Sequence, residues 1–357
     1  MRKIRFIPLI IGLFAASFFV LLGIPQQERE PDIAEARGGR VLNIYSSRHY
    51  GALEEPFVAF QEETGIEVRV SQGDPRALLE RLRAEGDRTP ADIFFAVDAG
   101  VMSLAAQEGL LRPVESEVLQ DNIPESQRDP DNRWFALSQR VRTIMYNPDA
   151  VDASELSTYA ALADEKWEGR LCMRPATHIY TVSLVSSLIY HHGYDEALEI
   201  VEGWVANNPT YINSDTRIIE TVAAGGCDIG LANHYYLARL LAEDADYPVE
   251  VFWANQETTG TFYNVNAAGV TAGARNYDEA VQFLEYMSSL EGQGGDEAGF
   301  PGSNYEFPTN PEAEPNEIIG EFSAFELDLT YPLWEYGDYQ EDAVRLLEEA
   351  GYGFEES

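Results

Sequence analysis

From Val41 onward the chain alternates short apolar runs with longer stretches of helical spacing, and few folds accommodate that order. Residues 41–45 read as an apolar strand, 53–60 carry helical spacing, and 66–70 alternate as a strand. Residues 77–84 are helical, 92–97 form a buried strand after Thr89-Pro90, and 101–111 are helical again. This βαβαβα order predicts an α/β fold with a mostly parallel, twisted sheet and helices on both faces. A less regular stretch with Pro124 and Pro130 leads to a strand over 141–146. The second series has strands over 171–173, 227–232, 250–253 and 265–270. Its helices fall over 182–190, 197–205, 217–223, 280–290 and 343–350.

A chain of 357 residues is too long for one ordinary core. Two α/β halves with long crossovers predict two lobes around a cleft, a usual place for a ligand. The first lobe is expected over 41–138, with part of 263–310 returning to it. The second is expected over 139–262, with 311–357 packing on it.

Residues 1–40 stand apart. Arg2, Lys3 and Arg5 precede an apolar run over 6–24, which reads as a secretory signal or an uncleaved membrane anchor. Ala34-Glu35-Ala36 is a distant cleavage candidate, and the following linker ends in Gly38-Gly39. Either reading places the remainder outside the cytoplasm, periplasmic or otherwise extracytoplasmic, and the anchor would tether it there. The formal net charge of −37 repels nucleic acid and anionic membranes. Lys3 and Lys166 are the only lysines, and the carboxylates are spread along the whole chain, which suits a halophilic habitat. Cys172 and Cys227 are the only cysteines. In an oxidising compartment an even count favours a disulfide, worth about 4 kcal/mol in the chain-entropy model. A thiolate metal pair is the weaker alternative.

The chemistry concentrates where strands hand over to helices. Tyr235 and Tyr236 end the run Ile229-Gly230-Leu231-Ala232-Asn233-His234, at the carboxyl end of a strand, where open α/β sheets place ligands. A phenolate is a hard anionic donor suited to a cation such as Fe3+. Ring packing in the core, or a groove for a small molecule, is the alternative. His49 and Tyr50 follow the first strand in the same way, and Tyr180 begins the helix after the Cys172 strand. Arg140 and Arg142 lie two apart on a strand, so they point to one side. They read either as a structural salt bridge or as an anion site. There is no Gly-x-Ser-x-Gly elbow, phosphate-binding glycine loop, zinc-protease motif or dinucleotide fingerprint, so an enzyme is not expected.

Several stretches together resemble the periplasmic ferric-iron-binding proteins of iron ABC transporters, the bacterial transferrins. They are Ile44-Tyr45-Ser46-Ser47-Arg48-His49-Tyr50, Pro90-Ala91-Asp92-Ile93-Phe94 and Trp134-Phe135-Ala136-Leu137-Ser138-Gln139-Arg140-Val141-Arg142, then Asn233-His234-Tyr235-Tyr236 and Phe307-Pro308-Thr309-Asn310-Pro311. The resemblance implies a two-lobed type II periplasmic-binding-protein fold with a hinge and an interlobe cleft. The cleft would capture Fe3+, with or without a synergistic anion such as carbonate, and deliver it to a membrane permease. A monomer is expected.

By that resemblance the metal ligands are His49, Tyr50, Tyr180, Tyr235 and Tyr236. The glutamate that one branch uses after the third strand is replaced by Val97, followed by Asp98, which matches the tyrosine-rich branch. Arg140 matches an arginine that approaches the metal or its carbonate, and Arg239 is a weaker candidate nearby. Four tyrosinates and an imidazole around Fe3+ leave a formal charge of about −1, which one arginine balances. The runner-up is a binding protein of the same fold for a polyamine, thiamine or a phosphonate.

Overall fold

The computed structural model describes residues 39–48, 54–294 and 299–354. The expected signal or anchor, up to Gly38, lies outside the described residues, as do His49 and Tyr50. No helix among the described residues is long and apolar enough to cross a membrane.

The first half runs β1 (Val41–Ser46), α1 (Glu55–Thr64), β2 (Glu67–Gln72), α2 (Pro75–Glu85), β3 (Ile93–Ala96), α3 (Ala99–Gln107) and α4 (Glu117–Asn122). The long strand β4 (Phe135–Tyr146) follows. Next come β5 (Leu171–Met173), α5 (Ile179–His192), α6 (Tyr194–Ala206), β6 (Thr210–Tyr211), α7 (Asp215–Ala223), β7 (Ile229–Asn233) and α8 (His234–Glu243). The chain closes with β8 (Glu250–Phe252), β9 (Tyr263–Val270), α9 (Tyr277–Ser288), α10 (Leu290–Gln293), α11 (Glu317–Gly320) and α12 (Gln340–Glu349).

Local chemistry sets many of these boundaries. Asp74 caps α2 by accepting from the backbone of Arg76 and Ala77, and Pro75 supplies a preset first residue. Ser214 caps α7 through the Arg217 amide. Gly65 ends α1 at φ 68°, in the left-handed region that a side chain would strain.

The strand order is β2-β1-β3-β9-β4-β7-β5-β6, with β8 also on β4. β1 pairs in parallel with β2 and β3, and β5 with β6 and β7. The middle differs from the mostly parallel sheet expected. β3–β9, β9–β4, β4–β7 and β4–β8 are all antiparallel. Helical crossovers generate parallel neighbours, but β9 returns from the far half of the chain without one. All residues of β4 and β9 are buried, so neither strand shows the alternation of a half-exposed strand.

β4 belongs to both halves of the sheet. Its Phe135–Val141 part pairs with β9, and its Arg142–Tyr146 part pairs with β7. One core lies against the β1–β3 half and includes Leu42, Ile44, Phe57, Phe60 and Phe283. Another lies against β5 and β7 and includes Met145, Ile218, Cys172 and Cys227. The two cysteines form a disulfide with Cα atoms 5.9 Å apart, joining β5 to the residue that leads into β7. The carboxyl-terminal segment touches both halves: α12 packs on α5 and α6, and Ser103 on α3 donates to the Trp334 carbonyl.

Candidate functional site

β5 and β7 are parallel neighbours, with Leu171 opposite Ile229, so their carboxyl ends lie side by side. Tyr180 sits in the first turn of the helix after one strand, and Tyr235 and Tyr236 in the first turn after the other. The strand pairing brings these two first turns together. The Tyr180 and Tyr235 hydroxyls are 3.2 Å apart, and the Tyr235 and Tyr236 rings are 4.3 Å apart between centroids. Asn233 Nδ2 donates to the Tyr235 hydroxyl at 3.3 Å. All three tyrosines are buried. They stand at the positive ends of two helix dipoles, which favour an anionic oxygen over a neutral one.

Cations surround the phenols. The Arg140, Arg142 and Arg174 guanidinium carbons lie 5.2, 5.7 and 5.8 Å from the Tyr180 ring centre. Arg239 is 5.3 Å from each of the Tyr235 and Tyr236 rings. The arginines differ in what holds them. Arg142 is ion-paired with buried Asp215 at 2.9 Å and donates to the Leu231 carbonyl. Arg174 holds the other Asp215 oxygen at 2.7 Å. Burial would raise the Asp215 carboxyl, but Arg142 and Arg174 outweigh it and hold the group at about 2. Arg142 therefore takes the structural alternative, in a pair completed by Asp215.

Arg140 is placed otherwise. It is 2% exposed, and one of its nitrogens donates to the Val97 carbonyl. Its Nη1 atom is buried without a hydrogen-bond partner among the described residues. With Arg142, Tyr180, Ser183 and Asn233 it lines a small cavity. A buried guanidinium nitrogen left unpaired is costly, and an anion or an anionic metal centre at that cavity would satisfy it.

A cavity of about 410 Å³ opens between the two halves, with Tyr180 as the one of the three tyrosines in its wall. Ser47, Arg48, Gln72 and Val97 line one side; His178 and Tyr180 line the other. The chain enters this side at Arg48 and is described again from Glu54. Arg48 grips Glu54 with two nitrogens, at 2.8 and 2.7 Å, and reaches Glu306 at 3.4 Å. Burial would raise the Glu306 carboxyl, but Arg48, the Ser138 hydroxyl and Arg140 hold it below the usual range.

Sequence reasoning passed over His178, Arg174, Asp215 and Glu306. His178 reads as an N-cap, and its Nδ1 does accept from the Tyr180 amide at 3.2 Å. Its ring also lies 4.4 Å from that of Tyr180, on the cavity wall. Ser214-Asp215 carries an ordinary helix-start signature, and nothing in its spacing marks the carboxylate as the partner of two distant arginines. His234, beside the tyrosine pair, turns away: it stacks on Phe307 at 4.6 Å and accepts from the Val141 amide. Burial pushes it down to about 4, so it is neutral at pH 7.

The family described as bacterial extracellular solute-binding protein matches residues 57–320. Iron uptake protein A1 of Synechocystis sp. is 39% identical over 342 residues, covering 93% of each chain. The Trichodesmium protein (IdiA, FutA) solved in complex with iron and citrate ligands superposes with a TM-score of 0.79 at 38% identity. That match covers 87% of this chain and 99% of the other. The ferric binding protein from Campylobacter jejuni has a TM-score of 0.81 at 34% identity, with the same coverage.

Proposed function

Because this chain belongs to the bacterial extracellular solute-binding protein family, we propose that it captures Fe3+ in its cleft and delivers it to an ABC-type iron importer. It has the type II periplasmic-binding-protein fold, acts outside the cytoplasm and catalyses no reaction. The observation that supports iron over an organic solute is the meeting of Tyr180 and Tyr235 at 3.2 Å, with Tyr236 against Tyr235. Phenolic oxygens gathered at two helix starts suit a hard trivalent cation.

In this reading Tyr180, Tyr235 and Tyr236 bind from the second lobe, and His49 and Tyr50 from the first. Arg140 supplies counter-charge to the anionic centre or holds a small synergistic anion such as carbonate. The lobes are 41–138 with part of 263–310, and 139–262 with 311–357, and β4 and β9 form the hinge. Ligands drawn from both lobes make closure depend on the metal, because only the closed form completes the coordination sphere. The permease would read the closed form, and the protein would act as a monomer.

The test is retention of iron. Protein stripped of metal, mixed with excess ferric nitrilotriacetate and desalted, should retain one ferric ion per chain by elemental analysis. Retention no better than that of a Tyr180→Phe, Tyr235→Phe double variant would refute the assignment.

A further inference from the structure

Asp98 follows Val97 at the end of β3 and caps α3, accepting from the Val101 amide at 3.0 Å. It is fully buried, and three side chains from distant parts of the chain also converge on it. Ser183 of α5 donates at 2.6 Å, Asn264 of β9 at 2.7 Å and Gln340 of α12 at 2.7 Å. An ordinary helix cap needs only one or two backbone donors. This one joins the β3 side of the sheet, the β9 strand, the helix that carries Tyr180 in its first turn and the carboxyl-terminal helix.

The fit around Asp98 is tight. A Cβ on Gly100 would stand 2.1 Å from Gln340 Nε2 and 3.0 Å from Asp98 Oδ1. Only glycine at position 100 lets Gln340 reach the carboxylate. Ser183 lies one turn beyond Tyr180, on the same face of α5, and both line the small cavity with Arg140. The Ser183 hydroxyl also lies 3.0 Å from the Ile179 carbonyl, but its single proton favours the shorter contact to the carboxylate. The preceding residue, Val97, holds Arg140 through its carbonyl.

We infer that Asp98 is a positioning residue of the cleft: through Ser183 it fixes the first turn of α5, and so the Tyr180 phenol, against the β3 side of the sheet. The inference rests on the reading of Tyr180 as an iron ligand. Asp98 does not touch the metal. Its carboxylate oxygens are committed to four donors. It acts by limiting how far α5 can rotate or slide away from β3 and β9. Iron held by Tyr180 then stays bound for as long as that helix start is held.

The experiment compares iron-loaded wild-type protein with Ser183→Ala and Asp98→Asn. Ser183→Ala deletes one hydroxyl and leaves Asp98 its other three donors. Asp98→Asn keeps the shape but sets a donor against donors. Iron release to excess EDTA, the ferric–tyrosinate absorption band and the melting temperature of the metal-free protein are read together. Release should accelerate about tenfold in Ser183→Ala, the equivalent of one lost hydrogen bond to a charged acceptor. Asp98→Asn should release at least as fast. In both the band should shift or weaken, and the metal-free Ser183→Ala protein should melt within a few degrees of wild type. Release rates and bands equal to wild type in both variants would overturn the positioning role while leaving the iron reading intact. A lowered melting temperature with an unchanged band and release rate would make Asp98 merely structural, which also overturns it. A colourless wild-type protein that retains no iron would overturn the iron reading, and this inference with it.

Discussion

The hydroxyls of Tyr180 and Tyr235 lie 3.2 Å apart although 55 residues separate them in the chain. Two neutral phenols can share one hydrogen bond at that distance. Two phenolates there would repel each other unless a cation lay between them. On the proposed reading the pair would keep its protons without metal and give them up when iron binds.

Replacing Tyr180, Tyr235 or Tyr236 singly by phenylalanine should keep the fold, because each ring stays in place and only the oxygen is lost. Ferric affinity should fall by more than about a hundredfold, beyond the range usual for residues behind the ligands. Calorimetric titration with a ferric chelate measures this. A variant that binds as wild type removes that tyrosine from the ligand set.

Binding should release protons. A phenol ionises near pH ~10 in water, so at neutral pH iron must displace a proton from each tyrosine it binds. Affinity should therefore fall steeply as the pH is lowered. Titrations in buffers of different ionisation enthalpy give the proton count. A count of zero would mean that no phenol ionises on binding.

Arg140→Gln should weaken Fe3+ binding by about 10–100-fold, the scale for residues that support a metal site from behind. It should weaken Fe2+ binding less, because the centre is then less in need of that charge balance. The metal-free protein should melt near the wild-type temperature, since one Arg140 nitrogen has no hydrogen-bond partner among the described residues. If the variant unfolds without metal while its folded fraction binds iron normally, Arg140 is structural instead.

Asp215 predicts an acid-sensitive step in the metal-free protein. Its carboxyl is held at about 2 against an ordinary value of 3.8, so the folded state favours the ionised form. That contribution, roughly 2 kcal/mol, is fully present above the ordinary value and is lost as the pH falls from there through about 2. Asp215→Asn should cost about 3–5 kcal/mol at neutral pH, because it strands Arg142 and Arg174 in the interior. It should also flatten the stability profile in that acid window. Urea unfolding at a series of pH values would expose an unchanged profile.

Much of this molecule was legible from the amino-acid order, where local chemistry decides the outcome. Apolar runs located β1 and β5, alternation located β2, and helical spacing located the cores of α5 and α7. The junction tyrosines stood out because a strand end followed by a helix start is itself a local pattern. The antiparallel middle of the sheet did not, since the pairing of β9 with β3 and β4 depends on a return over more than a hundred residues. Partnerships such as Arg142 with Asp215, or Asp98 with Ser183 and Gln340, join residues that share no spacing rule. Arg140 and Arg142 show the limit most plainly: equivalent by strand periodicity, they part company because Arg142 is ion-paired with Asp215 while Arg140 donates to the Val97 carbonyl.

The ferric assignment is tested most directly by one visible spectrum of the purified protein, before and after addition of ferric citrate. Tyrosinate bound to Fe3+ should give a red to purple charge-transfer band that grows to saturation at one iron per chain. A protein that stays colourless while elemental analysis finds iron bound would contradict phenolate ligation by Tyr180, Tyr235 and Tyr236.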